Sequence, residues 1–344
     1  MASPNRGGRW VTPGFLVLAV AFAFLAPTLF ESSFWLHLFD MMLINALMAL
    51  GLNVILKTGQ ISLAHAGFMA IGAYTSAQLT VKLGLPFLAG FLLGGLLASL
   101  AAFVVGRVIL RLKGVYFLLF TFALSEFLFL LSKNAPALTG GNTGVVGIKP
   151  PTLPFLAEPL RSKAAFYYLA LVVLALAVAF VAALYRSPFG RAMNAVRESE
   201  LLAAATGYNP MRIKVIAFSI GCLLAGFGGS LFAHFLLYIA PFSFTFWESV
   251  NFLLMNIVGG TSSLAGPIIG AMIITPLPEF LRAYVVWQQV LYGLVLMVFM
   301  RFLPDGVTSL LAPRYRALAS WLGRLGRPAP VEEPVPARAQ GRDR

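Results

Sequence analysis

The stretch KAAFYYLALVVLALAVAFVAALYR, Lys163 to Arg186, holds 22 uncharged residues between one lysine and one arginine. A helix needs about 20 apolar residues to cross a bilayer core of about 30 Å. A charge at the centre of such a helix costs about 2.5–3.5 kcal/mol on insertion scales, so long charge-free runs mark spans. Working outward, the same reading applies to the 21 residues between Arg9 and Glu31 and the 24 between Lys57 and Lys82. It applies equally to the 24 between Lys82 and Arg107, the 33 between Lys214 and Glu248, and the 30 between Glu248 and Glu279. The 344-residue chain is 59% hydrophobic and 11% charged, with a mean hydropathy of +0.86. A soluble domain carries about 25% charged residues, so an ordinary soluble enzyme and a disordered chain are both excluded. The single cysteine, Cys222, rules out disulfides within the chain and thiolate metal sites.

These runs predict an all-α integral membrane protein with ten transmembrane helices, at about 14–30, 34–56, 63–81, 86–106, 114–132, 164–184, 215–239, 244–259, 264–281 and 284–303. The division of 244–281 rests on Gly259-Gly260-Thr261-Ser262-Ser263, with Gly266-Pro267 beyond it; a re-entrant half-helix at 244–259 is the competing reading. The first run also fits a signal peptide, with Arg6 and Arg9 before it and Ala21-Phe22-Ala23 as a cleavage site, but its length favours retention. Lys and Arg number 25 and Asp and Glu 12, a net charge of +13, and the cations cluster between the runs in the positive-inside pattern. With both termini cytoplasmic, 19 of the 25 basic residues fall inside and six outside. The organisation expected is a cytoplasmic N-terminus (1–13), a transmembrane domain (14–303) with an outer loop (133–163) and a cytoplasmic loop (186–214), and a basic, low-complexity tail (304–344). Small residues four apart, Gly90, Gly94, Ala98, Ala102 and Gly106 on one helix and Gly221, Ala225, Gly229 and Ala233 on another, predict close helix packing within the chain, with a subunit interface as the alternative.

Two loops are legible. In the cytoplasmic one, Ser187-Pro188 starts a helix, Gly207 stops it and Asn209-Pro210 starts the next. Phe189, Met193 and Val196 recur at helical spacing among Arg191, Arg197, Glu198 and Glu200. This predicts a short amphipathic helix, either lying on the membrane surface or acting as a peg for another protein's groove. In the outer loop, Thr139 precedes Gly140-Gly141-Asn142-Thr143-Gly144, a run of turns whose amides can receive a carboxylate or a partner loop; the alternative is a plain connection. There is no Gly-x-x-x-x-Gly-Lys-Ser/Thr, so nothing here binds ATP through a P-loop. His37, His65 and His234 fall in no metal-ligand spacing, and no metal site is expected. Glu126 is the one acid near the centre of a span, too little for an ion relay. Polar residues within or beside spans nominate a translocation pathway of Asn53, Ser62, His65, Tyr74, Glu126, Asn251 and Asn256. No catalytic constellation is found among them.

The sequence also resembles a known family. Ala46 to Asn53 (ALMALGLN), Thr58 to Phe68 (TGQISLAHAGF) and Ile71-Gly72-Ala73-Tyr74 look like the signature of branched-chain amino-acid ABC-importer permeases, closest to the larger "M" type of the two Leu/Ile/Val permeases. Leu112 to Phe117, Thr139 to Gly144, Ser187 to Arg191 and Leu264 to Pro267 occur in that family's order, and the resemblance runs from about 43 to 305. It implies that 187–207 is the coupling helix that docks on an ATPase subunit, with Arg197, Glu198, Glu200 and Gly207 on the family pattern. Ala204 departs from it where the family commonly has an acid. The resemblance further implies a bacterial inner-membrane complex with a second related permease, two ATP-binding subunits and a periplasmic binding protein. This chain would then be half of the pathway, would bind no cofactor itself, and would leave ATP to its partners. Branched-chain or related amino acids, urea, amides and aromatic acids are the solute classes implied. An ion-coupled secondary transporter is the alternative, and an intramembrane lipid enzyme a distant third.

Overall fold

The computed structural model describes residues 24–28, 30, 32–152, 160, 162–284, 286–303 and 306–309. Most of the first expected span, with its signal-peptide reading, and nearly all of the tail lie outside the described residues. The long elements are α1 (Ser33–Leu56), α2 (His65–Lys82), α3 (Phe87–Ile109), α4 (Val115–Asn134) and α5 (Lys163–Arg186). After them come α6 (Pro188–Glu198), α7 (Glu200–Ala205), α8 (Pro210–Leu236), α9 (Phe246–Gly259), α10 (Gly266–Ile274) and α11 (Gln288–Phe302). Five of these, α1, α3, α4, α5 and α8, are long and apolar enough to cross a membrane. The chain is a helical, multi-pass membrane protein.

Helix α8 is the hub and packs against α3, α2 and α1. The most apolar windows of α1 and α8 are 78% and 72% buried, against 33%, 22% and 28% for α3, α4 and α5, so two helices form the interior and three form its outer wall. Lipid offers no hydrophobic drive between helices, so this interior must be held by close van der Waals approach. Glycine supplies it. A Cβ on Gly72 of α2 would lie 2.2 Å from the Gly226 carbonyl oxygen of α8, and one on Gly51 of α1 would lie 2.7 Å from that of Gly221. Ser230 bridges the first contact, its hydroxyl donating to the carbonyls of Gly72 (3.1 Å) and Gly226 (3.0 Å). The small-residue faces of α3 and α8 thus pack within the chain: Ala98 and Ala102 are buried, and Ala98 lies against Gly226.

Several boundaries differ from expectation. The expected 215–239 helix begins at Pro210, because Asn209 Oδ1 accepts from the Arg212 amide (3.1 Å) and Pro210 is preset for the first turn. The expected 264–281 helix breaks after Ile274 and resumes only as the short Leu277–Phe280 turn. Pro276 and Pro278 remove the amides that would have continued the ladder. Helix α9, with 14 residues, is about 21 Å long, shorter than a bilayer core. The preceding 238–245 is a strand residue pair and a 3-10 turn instead of helix, with Phe244 packed on Tyr74 and Phe232. Helices α9 and α10 then pack back to back; a Cβ on Gly270 would lie 1.7 Å from the Met255 carbonyl oxygen. Helix α2 also starts late. His65, its first residue, bonds the carbonyl of Met48, about 13 Å up α1 from Lys57. Irregular backbone at that depth is sustained only inside protein, and Thr58, Gln60, Ser62 and Ala64 are all buried.

The hub generates a test. Gly72→Val places branched carbons on the Gly226 backbone and is expected to cost about 1–3 kcal/mol or more. It should lower the unfolding temperature of the purified protein by several degrees. Gly293→Ala on α11, where an added Cβ meets nothing within 4 Å, should leave it unchanged or higher.

Candidate coupling and pathway site

The 187–207 loop is two helices, not one. Ser187 Oγ accepts from the Gly190 amide (3.3 Å) to start α6, and Ser199 Oγ accepts from the Leu202 amide (3.3 Å) to start α7. Ser199 is extended (φ −161°, ψ 116°), so the helix must break there, and a serine that caps the next helix makes the break favourable. Gly207, at φ +90°, ends the loop as read from the sequence. Met193 and Val196 are buried against the chain's own spans, and Phe189 is half-buried. They seat the loop, so the peg does not present them to a partner. The outward-facing residues include Arg197, Glu198, Leu201 and Leu202, the two leucines being 81% and 67% exposed. Sequence reasoning passed over Leu201 and Leu202, although two adjacent leucines in a charged loop were a usable signal. Glu200 turns inward and pairs with Lys214, which is buried.

The loop also approaches the bundle near Gly59. Gly59, at φ +81°, lies against the backbone of Arg197, where a Cβ would sit 3.6 Å from the Arg197 Cα. Next to it, Lys57 donates from Nζ to the Ser262 carbonyl (3.1 Å) and lies over the Tyr185 ring, 5.2 Å from its centroid. Burial, and after it the charge of Arg197, pulls the Lys57 ammonium below its ordinary pKa.

From there a buried polar seam runs into the bundle. The Tyr185 hydroxyl donates to Asn53 Oδ1 (2.8 Å), and Asn53 Nδ2 donates to Asn256 Oδ1 (2.9 Å) and to the Thr261 carbonyl (3.1 Å). Asn256 Nδ2 donates in turn to the carbonyls of Ala49 and Phe252, both at 2.9 Å. Helices α1, α5 and α9 and the Gly259–Ser263 break therefore share one network. Both amides are fully buried, and every such group must be paired away from water.

The other nominated pathway residues fall into separate places. His65 and Ser62 are buried where α2 begins; Ser62 Oγ accepts from the Ala64 amide (3.3 Å), and Ser249 Oγ accepts from the Ala66 amide (2.8 Å). Tyr74 lies higher on α2 with its ring against Phe244 (5.6 Å). Asn251 accepts from the Tyr292 hydroxyl (3.2 Å) and donates to Glu248 (3.4 Å). Glu126 is half-buried on α4, between Phe122 and Phe129, which pack edge-on to Phe246 and Phe242. Ser249 carried no signal in the sequence.

In the loop after α4, Thr139 is buried and its hydroxyl binds the carbonyls of Ser132 and Ala135 (2.8 Å to the latter), while its oxygen accepts from the Gly141 amide (3.2 Å). Gly140 and Gly141 take φ of +76° and +60°, and Asn142 is exposed. The loop then forms strand β1 (Val145–Val146), antiparallel to β2 (Tyr238–Ile239), tying it to the end of α8. Among the described residues, no group of three His, Cys, Asp or Glu is placed to hold a metal ion.

Residues 14–300 match the family described as "Branched-chain amino acid transport system / permease component". The chain is 32% identical over 323 residues to the high-affinity branched-chain amino acid transport system permease protein LivM of Escherichia coli K12, covering 88% of this chain and 75% of LivM. It is 25% identical to the high-affinity branched-chain amino acid transport system permease protein LivH of Salmonella typhimurium, over 76% of this chain and 90% of LivH. It is 26% identical to the ribose import permease RbsC of Bacillus subtilis, over 83% of this chain and 89% of RbsC. No solved structure matches.

The seam makes a measurable claim. Asn53→Ala and Asn256→Ala each strand partners in a buried site and should each destabilise by about 1–3 kcal/mol. Because the two amides bond each other, the double variant should fall short of the sum by about 0.5–3 kcal/mol in thermal unfolding of the purified protein. Strict additivity would mean that the two side chains do not act together.

Proposed function

The chain belongs to the permease family of branched-chain amino-acid transport systems, and on that premise we propose how it works in an importer for branched-chain or related amino acids. It is a transport subunit, and its family is that of ATP-driven importers; ion-coupled secondary transport is not favoured. In this reading the chain crosses the bacterial inner membrane ten times with both termini in the cytoplasm. It forms half of the passage beside a second, related permease. A periplasmic binding protein delivers the solute to the outer face, where 139–146 and 238–239 are joined, and one of two ATP-binding subunits docks on α6 and α7.

The observation that carries the reading is the keyed loop. Arg197 and Glu198 face outward, and the Arg197 backbone lies within reach of a Cβ added at Gly59. Gly190 is wedged so tightly under the end of α5 that a Cβ would lie 2.4 Å from the Tyr185 carbonyl oxygen. A displacement of this loop by closing ATPases cannot be absorbed locally. It is passed to Tyr185 on α5, to the 58–64 segment before α2 and, beyond Gly207, to the start of α8. The Asn53–Asn256–Tyr185 seam lies where these meet, and its rearrangement would open or close the inner half of the passage. Asn53, Ser62, His65, Tyr74, Glu126, Asn251 and Asn256 remain the residues proposed to line or control that passage. The nucleotide is consumed by the partners.

The test is charge reversal at the exposed tip. Arg197→Glu with Glu198→Lys should reduce ATP-driven leucine uptake by about tenfold or more, since like charges across an interface cost several kcal/mol. Abundance in the membrane should be unchanged. Glu200 is left intact, because its loss would strand buried Lys214. Undiminished uptake would remove α6 and α7 from the coupling role.

A further inference from the structure

At the cytoplasmic ends of α3 and α8 lies a recess of about 310 Å³, at the small end of the range for ligand pockets. Arg111, Lys113 and Lys214 supply its charge, Glu200 is its one acid, and Leu110 and Met211 give it an apolar floor. The acid is already engaged: one oxygen pairs with buried Lys214, and the other lies 3.8 Å from the Lys113 ammonium. Three cations thus face one carboxylate. The first residues of α8 also line the recess, so the positive end of a 27-residue helix opens into it. Such a place suits an anion: Arg111 and Lys113 are exposed, and Lys113, 76% exposed, holds Glu200 only at 3.8 Å.

The surface beside the recess identifies the anion. Val104, Val108, Val115 and Tyr116, at the adjoining ends of α3 and α4, are 60–75% exposed. Helices α3 and α4 form the outer wall of the bundle, the side that meets acyl chains. Arg107 lies over the Phe103 ring at 4.3 Å, adding a further cation on the same helix end. A cationic recess flanked by membrane-facing apolar surface matches a molecule with a phosphate and tails. We propose that it binds the phosphodiester headgroup of an anionic phospholipid from the cytoplasmic leaflet, with the phosphate on Arg111 and Lys113 and an acyl chain along Val104 and Val108. Glu200 belongs to α7, so the bound lipid is part of the seat of the coupling loop. The proposal rests on the reading above only for which side is cytoplasmic; lipid retention by the full chain is measured without any uptake.

The experiment is native mass spectrometry of the full chain in detergent, titrated with phosphatidylglycerol or phosphatidylcholine. Phosphatidylglycerol should be retained preferentially. Arg111→Gln with Lys113→Gln should weaken its retention by about 30-fold, the effect of removing two near-surface cations. Arg111→Lys with Lys113→Arg, which keeps both charges, and Arg301→Gln, at the end of α11, should bind as the unaltered chain does. Equal retention of the two lipids, or an unaffected double Gln variant, overturns the proposal. Displacement of the lipid by millimolar inorganic phosphate overturns it in favour of a soluble anion. Loss of copurifying ATPase subunits with lipid retention intact assigns the surface to a protein partner instead.

Discussion

The approach of α8 to its neighbours through bare backbone is the constraint on which the rest depends. With lipid on the outside, apolar side chains gain nothing from leaving one apolar medium for another, and cohesion must come from contact area at short range. Gly51 against Gly221 and Gly72 against Gly226 bring α1 and α2 to α8 at distances no side chain permits. A Cβ on Gly51 would also lie 3.2 Å from His65 Nε2, so the same approach fixes where α2 begins. Had α1 stood farther off, His65 would not reach Met48, and the 58–64 segment would have no enclosed space in which to run irregularly.

The hub and the seam are different kinds of junction. Glycine contacts are stiff, because any shift either opens a void or forces backbone on backbone. The Asn53–Asn256–Tyr185 seam consists of side-chain hydrogen bonds among amides, a hydroxyl and the carbonyls of an irregular turn, and such bonds have alternative partners of similar strength. The lever is attached to the seam through Lys57, Gly59 and Tyr185. The rigid and exchangeable parts of the bundle thus lie along one line from the cytoplasmic surface inward.

Much of this architecture is legible in the sequence, for a physical reason. Spans are selected against charge, so Lys57, Lys163 and Arg186 alone place the ends of α1 and α5 within a residue or so of Ser33–Leu56 and Lys163–Arg186. The Gly259–Ser263 break, and Gly207 with Asn209-Pro210, are readable as local chemistry. The features that escape such a reading depend on neighbours. Nothing in Ile61-Ser62-Leu63-Ala64 says that α2 starts two turns inside the bundle; Met48 and Ser249 decide that. Met193 and Leu201 are both apolar residues in one loop, and only the packing of α6 on α5 and α8 sends the first inward and leaves the second exposed. Asn53 and Asn256 stand in the sequence as separate polar residues, and their pairing across 203 positions is a property of the fold.

The seam also bears on how a solute could pass without free choice of partner. Each amide in it has both donors engaged: Asn53 donates twice and accepts once, and Asn256 does the same. Such a network offers no vacant amide donor to a polar solute at rest. It gains such groups only when α5 or the Gly259–Ser263 turn withdraws, since Tyr185 and the Thr261 carbonyl are the partners carried on separate elements. A passage of this design discriminates little by itself and is controlled by where its walls stand. On the function proposed above, selectivity would then come from the component that delivers the solute, and directionality from the one that moves the wall.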